Sequence, residues 1–430
     1  MKLPSQLSRK DGHLWIGEHD CVALAQQYET PLYVTDAARI RDNYRRYYEA
    51  LSAYYPDVRV LYAAKANGNP AILRLLARQG AGADVFSAGE LVLALQAGID
   101  PSRILFNGNS KSTDDLALAV EKGVRVSVDS LNELHMLDHI AGEAGTEIGI
   151  AFRVNPALDV PTHPKIATGL AKSKFGIPHE EITAAYRAAL ACKHVNPVGI
   201  HCHIGSQILD MDPFARAARV MVRIAEDITA LGVSLQFIDL GGGLGIPYHR
   251  KADPEPTPKD YADAVMPVFL QGIQNAGITP ELWVEPGRYL VADSTVLLTQ
   301  VNSVKPAAKT FVNVDAGFNL LVRPVMYDAY HEVIAANRAE EYPSTLVTVA
   351  GPICESGDLL ANDRNLPPVR AGDLIAVLDA GAYGFAMASQ YNCRPRCAEV
   401  LVDGPHAALM RRRETLDDIV SSVVVPHWLL

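Results

Sequence analysis

The chain has 430 residues, 49% apolar and 20% charged, with a formal net charge of -10. That length implies two or three domains, and the negative balance excludes a general nucleic-acid binder, which needs a basic face. The N-terminus MKLPSQLSRKDGHLW has no apolar signal core, no run is long enough to span a bilayer, and six cysteines are too few and too scattered for a disulfide framework. The expectation is a cytoplasmic protein with neither membrane nor nucleic-acid partners.

Residues 1–30 do not fit the barrel pattern that follows. From 58 to 288 short β-branched runs alternate with Ala/Leu-rich helical stretches such as AILRLLARQG, AGELVLALQAG and TDDLALAVEKG, several of which close with Gly. The runs are 58–63, 83–86, 103–106, 125–128, 148–154, 198–203, 235–239 and 282–285. Alternation of this kind implies βαβ units and a parallel sheet, and eight units over about 230–250 residues fit a (β/α)8 TIM-type barrel. A doubly wound nucleotide-binding fold competes, but Gly241-Gly242-Gly243-Leu244-Gly245-Ile246 lacks the last glycine of its fingerprint. Two irregular stretches, 155–176 and 246–259, interrupt the barrel and read as functional lids or disordered segments.

Past Arg288 the texture changes. Runs at 295–304, 310–314, 345–350, 374–378 and 398–401 read as strands separated by Pro, Gly and Asn turns. The expected architecture is therefore α/β, with a barrel over 31–293 and a mostly β domain from 294–430 that residues 1–30 join. Arg411-Arg412-Arg413, followed by Glu414, Asp417 and Asp418, reads as a salt-bridged, solvated helix face. Cys393 and Cys397 lie close, but no second Cys/His pair accompanies them, so no metal site is expected.

Reactive residues of a barrel sit at the C-terminal ends of its strands. Those ends carry Lys65; Asp84 and Ser87; Asn107; Asp129; Arg153 and Asn155; His201 and His203; Asp239 with Gly241, Gly242 and Gly243; and Glu285 with Arg288. Lys65 ends the apolar run of VLYAAKANGNP, where Asn-Gly-Asn-Pro begins a turn. A lysine there is costly to desolvate unless paired or modified, and it can act as a Schiff-base nucleophile. Three glycines after a strand bring backbone N–H groups close to a phosphate. A lysine attachment point plus a phosphate cradle points to pyridoxal phosphate (PLP), whose ring nitrogen needs a charged partner. Glu285 would keep that nitrogen protonated.

YAAKAN, HCHIGSQ, DLGGGLG, EPGRYLV, RPVMYDAYHEV, GPICESGD and DAGAYGFAMASQYN, in this order over almost the whole chain, resemble the motifs of the barrel-type PLP-dependent decarboxylases. Within that group they are most similar to the diaminopimelate decarboxylases. The resemblance implies decarboxylation of meso-diaminopimelate to L-lysine. A relative acting on D-lysine, D-ornithine or a carrier-linked amino acid is the alternative. It implies that Lys65 holds the cofactor, His203 stacks on its ring, and Ser206, Gly241–Gly243 and the backbone of 285–288, including Gly287 and Arg288, hold its phosphate. Glu285 would pair with the ring nitrogen. Cys354 would return a proton after carbon dioxide leaves, and Tyr383 would touch phosphate and substrate. Arg288, Arg323 and Tyr327 match the binders of the distal carboxylate, and Glu355 matches the residue facing the distal ammonium. The resemblance also implies a homodimer whose sites borrow the Cys and Glu from the partner. The pattern departs at Lys165, where the family has an aromatic residue.

Overall fold

The computed structural model describes residues 3–160, 162–163, 166, 168–170 and 172–429. Two compact units result: 41–247 with 254–290, and 1–40 with 248–253 and 291–430.

In the first unit the strands Val58–Ala63, Gly82–Val85, Ile104–Phe106, Arg125–Val128, Ile148–Asn155, Val195–Cys202, Phe237–Asp239 and Glu281–Val284 pair in parallel, in chain order. The last pairs with the first, Leu282 opposite Val58, so the sheet closes into a barrel. Each strand lies on one of the eight runs read from the sequence. Five of the connecting helices start at side-chain caps. Ser112 and Thr257 form capping boxes with Asp115 and Asp260, and Asn69 caps Pro70–Arg78 with Pro70 in the first turn. Gly123 and Gly277, both at φ 65°, end Thr113–Lys122 and Pro258–Ala276 in the left-handed conformation that glycine adopts without strain. Only the short Arg288–Val291 follows the eighth strand. Tyr47, from the helix Ala37–Ser52, packs between Tyr261 and Tyr289, with ring centroids 5.8 and 5.7 Å away.

Leu61, Leu105, Ala151, Val198, Phe237 and Trp283 fill the barrel. Phe237 stacks on Trp283 at 3.7 Å. Gly199 makes room for it, since a Cβ there would come within 2.2 Å of the Phe237 ring. Arg59 and Arg125 lie over Trp283, and Arg59 pairs with Glu281 at 2.6 Å. These residues close the N-terminal end with apolar and cationic side chains, leaving the opposite rim for chemistry.

The second unit is built on a nine-stranded sheet. Its main path runs Leu359–Leu366, Thr345–Ala350, Thr310–Val314, Thr295–Pro306, Leu32–Asp36, Ala398–Asp403, His406–Arg411; Leu374–Val377 also pairs with Thr295–Pro306 and carries Val333–Ala335 on its other side. Thr295–Pro306 is apolar on both faces. Leu297 and Val301 enter one core, while Val296 and Leu298 enter another. Residues 7–20 form their own three-stranded sheet, and Leu7, Leu14 and Ile16 pack into the second of those cores. The sequence places the boundaries at 30/31 and 293/294. Leu32–Asp36 falls in the second unit because its backbone pairs with Thr295–Pro306 and Ala398–Asp403.

The triple-arginine run is not a helix face. Arg411 ends a strand and pairs with the buried Glu399, and Arg413 donates to the carbonyls of Glu29 and Pro31. Arg412 alone reaches the short helix Leu416–Val420, binding Asp418 with two bonds of 2.5 and 2.7 Å. Among the described residues no helix is long and apolar enough to cross a membrane.

Candidate active site

Lys65 lies in the one-turn Ala64–Ala66 segment directly after the first barrel strand. Its Nζ is 2.5 Å from Oδ2 of Asp84, at the end of the second strand, and 4.8 Å from the centroid of the Phe86 ring. Asn107, just past the third strand, donates from its amide to Asp84 Oδ1 at 2.6 Å and to Glu285 Oε1 at 2.7 Å. One side chain thus holds two buried carboxylates. On the other side of Glu285, His201 Nε2 is 3.3 Å from Oε2, and His201 Nδ1 pairs with the Ser127 hydroxyl at 2.8 Å.

Burial, then the charge of Glu285, raises the Asp84 carboxyl, and Lys65 offsets this in part. Burial also opposes ionisation of Glu285, but His201 and Lys65 overcome it and hold the group below the usual carboxylate range. Asp239 behaves oppositely: burial and the Glu285 charge push it well up, which favours its protonated form. His201, Asp239 and Glu285 place ligand-type atoms within 4.8 Å of one another, all buried. His201 faces Glu285, and Asp239 Oδ1 accepts from the Gly241 N–H at 2.7 Å, so the set supports Glu285 and the glycine turn.

Three loops converge beside this cluster. His203 Nδ1 accepts from the Gly242 N–H at 3.1 Å, so the ring is neutral with its proton on Nε2. Burial and the nearby Lys65 charge likewise lower its basicity well below that of ordinary histidine. Gly241 has φ 69° and Gly243 φ 124°, which favour glycine. Crowding adds to this at Gly242, where a Cβ would lie 2.0 Å from the Glu285 carbonyl oxygen. Gly287 sits against Ala63 and Ala66, which flank Lys65 in the chain. Arg288 is buried and donates from Nε and Nη2 to Ser206 Oγ at 3.2 and 2.9 Å. The 155–176 loop is tied to the same region: Thr168 donates to the His203 carbonyl at 3.0 Å and Thr162 to the Ser206 carbonyl at 2.7 Å. Lys165 lies outside the described residues.

The remaining residues expected in the site belong to the second unit. Arg323 and Tyr327 open and close the short helix Arg323–Tyr327. Arg323 is buried, lies over the Tyr248 ring at 4.3 Å and contacts His331. Cys354 and Glu355 are exposed. Asp358 holds their loop, accepting from the Phe318 and Ile353 amides at 2.6 and 2.7 Å. Asn392 accepts from the Cys354 N–H and donates to its sulfur, both at 3.0 Å. Tyr391 donates to Glu355 at 2.9 Å, and the bonds with Glu355 and Cys354 push its hydroxyl up to about 12. Tyr383 adopts φ 57° in the Gly381–Gly384 turn, where a Cβ on Gly381 would lie 1.9 Å from the Val291 carbonyl oxygen.

Of the strand-end residues, Lys65, Asp84, Asn107, His201, His203, Asp239 and Glu285 come together. Ser87 instead caps Ala88–Gln96, accepting from Glu90 N, and Asp129 accepts from the Gly176 N–H at 3.0 Å. The sequence assigned no role to Asn107, His201, Asp239, Asn392 or His331. All five lie at a strand end or inside a motif already singled out, but what each one touches depends on the fold.

The barrel cluster fits pyridoxal phosphate. It offers a primary amine, an ionised carboxylate for a ring nitrogen, a neutral imidazole for a ring face, and a glycine run with a serine and an arginine for a phosphate. The family described as pyridoxal-dependent decarboxylase, pyridoxal binding domain, matches residues 37–292. A diaminopimelate decarboxylase of Archaeoglobus fulgidus is 53% identical over 423 residues, covering 98% of this chain and 100% of the relative. The solved diaminopimelate decarboxylase of Methanocaldococcus jannaschii, in complex with L-lysine, superposes with a TM-score of 0.94 at 40% identity and covers 99% of both chains. That of Helicobacter pylori, also with L-lysine, gives a TM-score of 0.87 at 38% identity over 93% of this chain and 98% of that one. This chain belongs to the diaminopimelate decarboxylases, a family of barrel-type, PLP-dependent carboxy-lyases.

Proposed function

We propose that the chain removes carbon dioxide from meso-diaminopimelate and releases L-lysine. The observation that carries this is the Lys65–Asp84–Asn107–Glu285 chain of contacts at one rim of the barrel. When bound, pyridoxal phosphate supplies the electron sink for the pair left behind by the departing carboxylate. Every other task falls to side chains.

Lys65 is the attachment point, and Asp84 holds its ammonium whenever that amine is free of the cofactor. Glu285, kept ionised by His201 and Lys65, holds a proton on the ring nitrogen. His203, kept neutral and fixed by Gly242, presents an uncharged face to the ring. Ser206, Gly241, Gly242, Gly243, Gly287 and Arg288 bind the phosphate. Cys354 delivers the proton that replaces carbon dioxide, with Asn392 and Tyr391 orienting its thiol. Arg288, Arg323 and Tyr327 take the distal carboxylate, Glu355 takes the distal ammonium, and Tyr383 bridges phosphate and substrate.

The exposure of Cys354 and Glu355 supports a homodimer in which each chain completes its partner's site. We assign the protein to the cytoplasm, as a biosynthetic enzyme without a membrane-crossing helix among the described residues.

The test offers the PLP-loaded protein meso-diaminopimelate, D-lysine, D-ornithine, L-ornithine and L-lysine separately, and identifies the amine formed. L-lysine from diaminopimelate alone is expected. Turnover only of substrates without a distal carboxylate would keep the fold and cofactor but overturn the substrate and the roles of Arg323 and Glu355.

A further inference from the structure

We infer that the barrel unit carries a second ligand site on the helix Asp212–Thr229, a cationic pocket that takes a phosphate ester with an apolar body. Its lining includes none of the residues assigned to cofactor or substrate.

Arg216, Arg219 and Arg223 follow one another by three and four residues, so their guanidinium groups share one face of that helix. Like charges at these spacings repel and weaken a helix unless something neutralises them. The carboxylates nearby do little. Arg216 comes only to 3.9 Å from Asp212. Arg219 and Arg223 are exposed, and neither makes an ion pair or a hydrogen bond with a described residue. Glu226 and Asp227 follow Arg223 by three and four residues, yet form no ion pair with it. This positive stripe stands on a chain of net charge -10.

The three arginines border a cavity of about 310 Å³, at the small end of the range for small-molecule sites. Val220 and Ile224, from the same helix, and Leu158 give it an apolar lining. His179 completes it with a ring whose Nδ1 is buried and makes no hydrogen bond, although the Glu180 carboxylate is 3.2 Å away. Asp227 is the one carboxylate among the described lining residues. Three guanidinium groups against one carboxylate select an anion, and their planar forks match the oxygens of a phosphate. The apolar side chains suit the ring of an aromatic ester. The pocket also joins both ends of the 155–176 stretch: Leu158 N donates to the Gly169 carbonyl at 2.8 Å, and His179 N to the Asn155 carbonyl at 3.1 Å. The same stretch holds the backbone of His203 and Ser206, so a ligand bound here is connected to the cofactor loop.

The experiment uses the PLP-loaded full chain, freed of unbound PLP by gel filtration because PLP is itself a phosphate ester. Calorimetric titration compares phenyl phosphate, adenosine 5′-monophosphate, inorganic phosphate and adenosine. The two esters should bind with Kd below about 1 mM, inorganic phosphate at least about tenfold more weakly, and adenosine not detectably. Arg219→Gln combined with Arg223→Gln should weaken both esters by at least about tenfold, the worth of a hydrogen bond to a charged group. Arg223→Gln alone should give an intermediate affinity. Both positions are exposed and the changes remove a repulsion, so the double variant should keep the cofactor absorption and melt no lower than wild type. Phenyl phosphate should raise the melting temperature of the wild type and not of the double variant. No binding of either ester at about 10 mM would overturn the inference. So would binding that the double substitution leaves unchanged, or esters that bind no tighter than inorganic phosphate.

Discussion

Asp239 and Glu285 are two buried carboxyls beside one imidazole, and their surroundings push their acidities in opposite directions. Two like charges this close in a dry site are unfavourable, so one group keeps its proton. His201 and Lys65 favour the charge on Glu285, the group nearer the Lys65 cluster. The pair therefore presents one negative charge, on the side where a pyridine nitrogen needs it.

This division has a pH consequence. Asp239 has a folded value well above the unfolded value of 3.8. Unfolding thus releases its proton at intermediate pH, and native stability falls as pH rises above the unfolded value, by up to about 1.4 kcal/mol per pH unit. Asp239→Asn keeps an oxygen to accept the Gly241 N–H, a bond of 2.7 Å in the wild type, but cannot ionise. Compared with wild type, the variant should gain stability between about pH 5 and about pH 7, read as the change in the difference of urea midpoints. A difference that does not vary with pH would mean that Asp239 is ionised in the native protein.

Lys65→Ala should abolish the visible absorption of lysine-bound cofactor and allow PLP to be removed by gel filtration. Activity should fall with it, because the attachment point and its exchange with the substrate amine are lost. If the absorption persists, another lysine holds the cofactor. Lys111 is a poor candidate, since its Nζ is already committed to Glu133 at 2.7 Å and to the carbonyls of Gly108 and Ser127.

Cys354→Ala should lower kcat by about 10²–10⁴, the usual worth of a positioned proton donor. Cofactor absorption should be unaffected, because Cys354 is not among the residues assigned to hold PLP. Rapid kinetics with diaminopimelate would separate the two effects. A wild-type kcat would take Cys354 out of the proton step.

Gly242→Ala should weaken PLP binding and destabilise the protein by about 1–3 kcal/mol, the usual cost of overpacking. The added methyl would lie 2.0 Å from the backbone oxygen of Glu285, an atom that cannot move without displacing the site. Cofactor affinity and thermal unfolding of the PLP-loaded protein are the measurements. Unchanged affinity would show that the glycine run is not the phosphate cradle.

Much of the site was legible because barrels place polar residues at strand ends, and those residues stand out against apolar strand bodies. Lys65, His203, the 241–243 glycines and Glu285 all stand out in this way. The chain of bonds joining them was not legible. Asn107 contacts Asp84, 23 residues away in sequence, and Glu285, 178 away. Ser87 looked like its neighbours on the rim, yet it caps a helix, because the competition between cap and ligand is settled by where the next turn begins.

The sequence by itself determined the eight-fold alternation, the helix caps and the second β-rich half, since these depend on local periodicity and on residues within a turn of one another. Only the tertiary structure decided that Leu32–Asp36 pairs between Thr295–Pro306 and Ala398–Asp403, because five apolar-leaning residues suit either unit until long-range partners compete for them. It alone decided that Asp239 is pushed up and Glu285 held down. Both depend on how deeply each group is desolvated and which partner faces it, and neither is written in the chain around it.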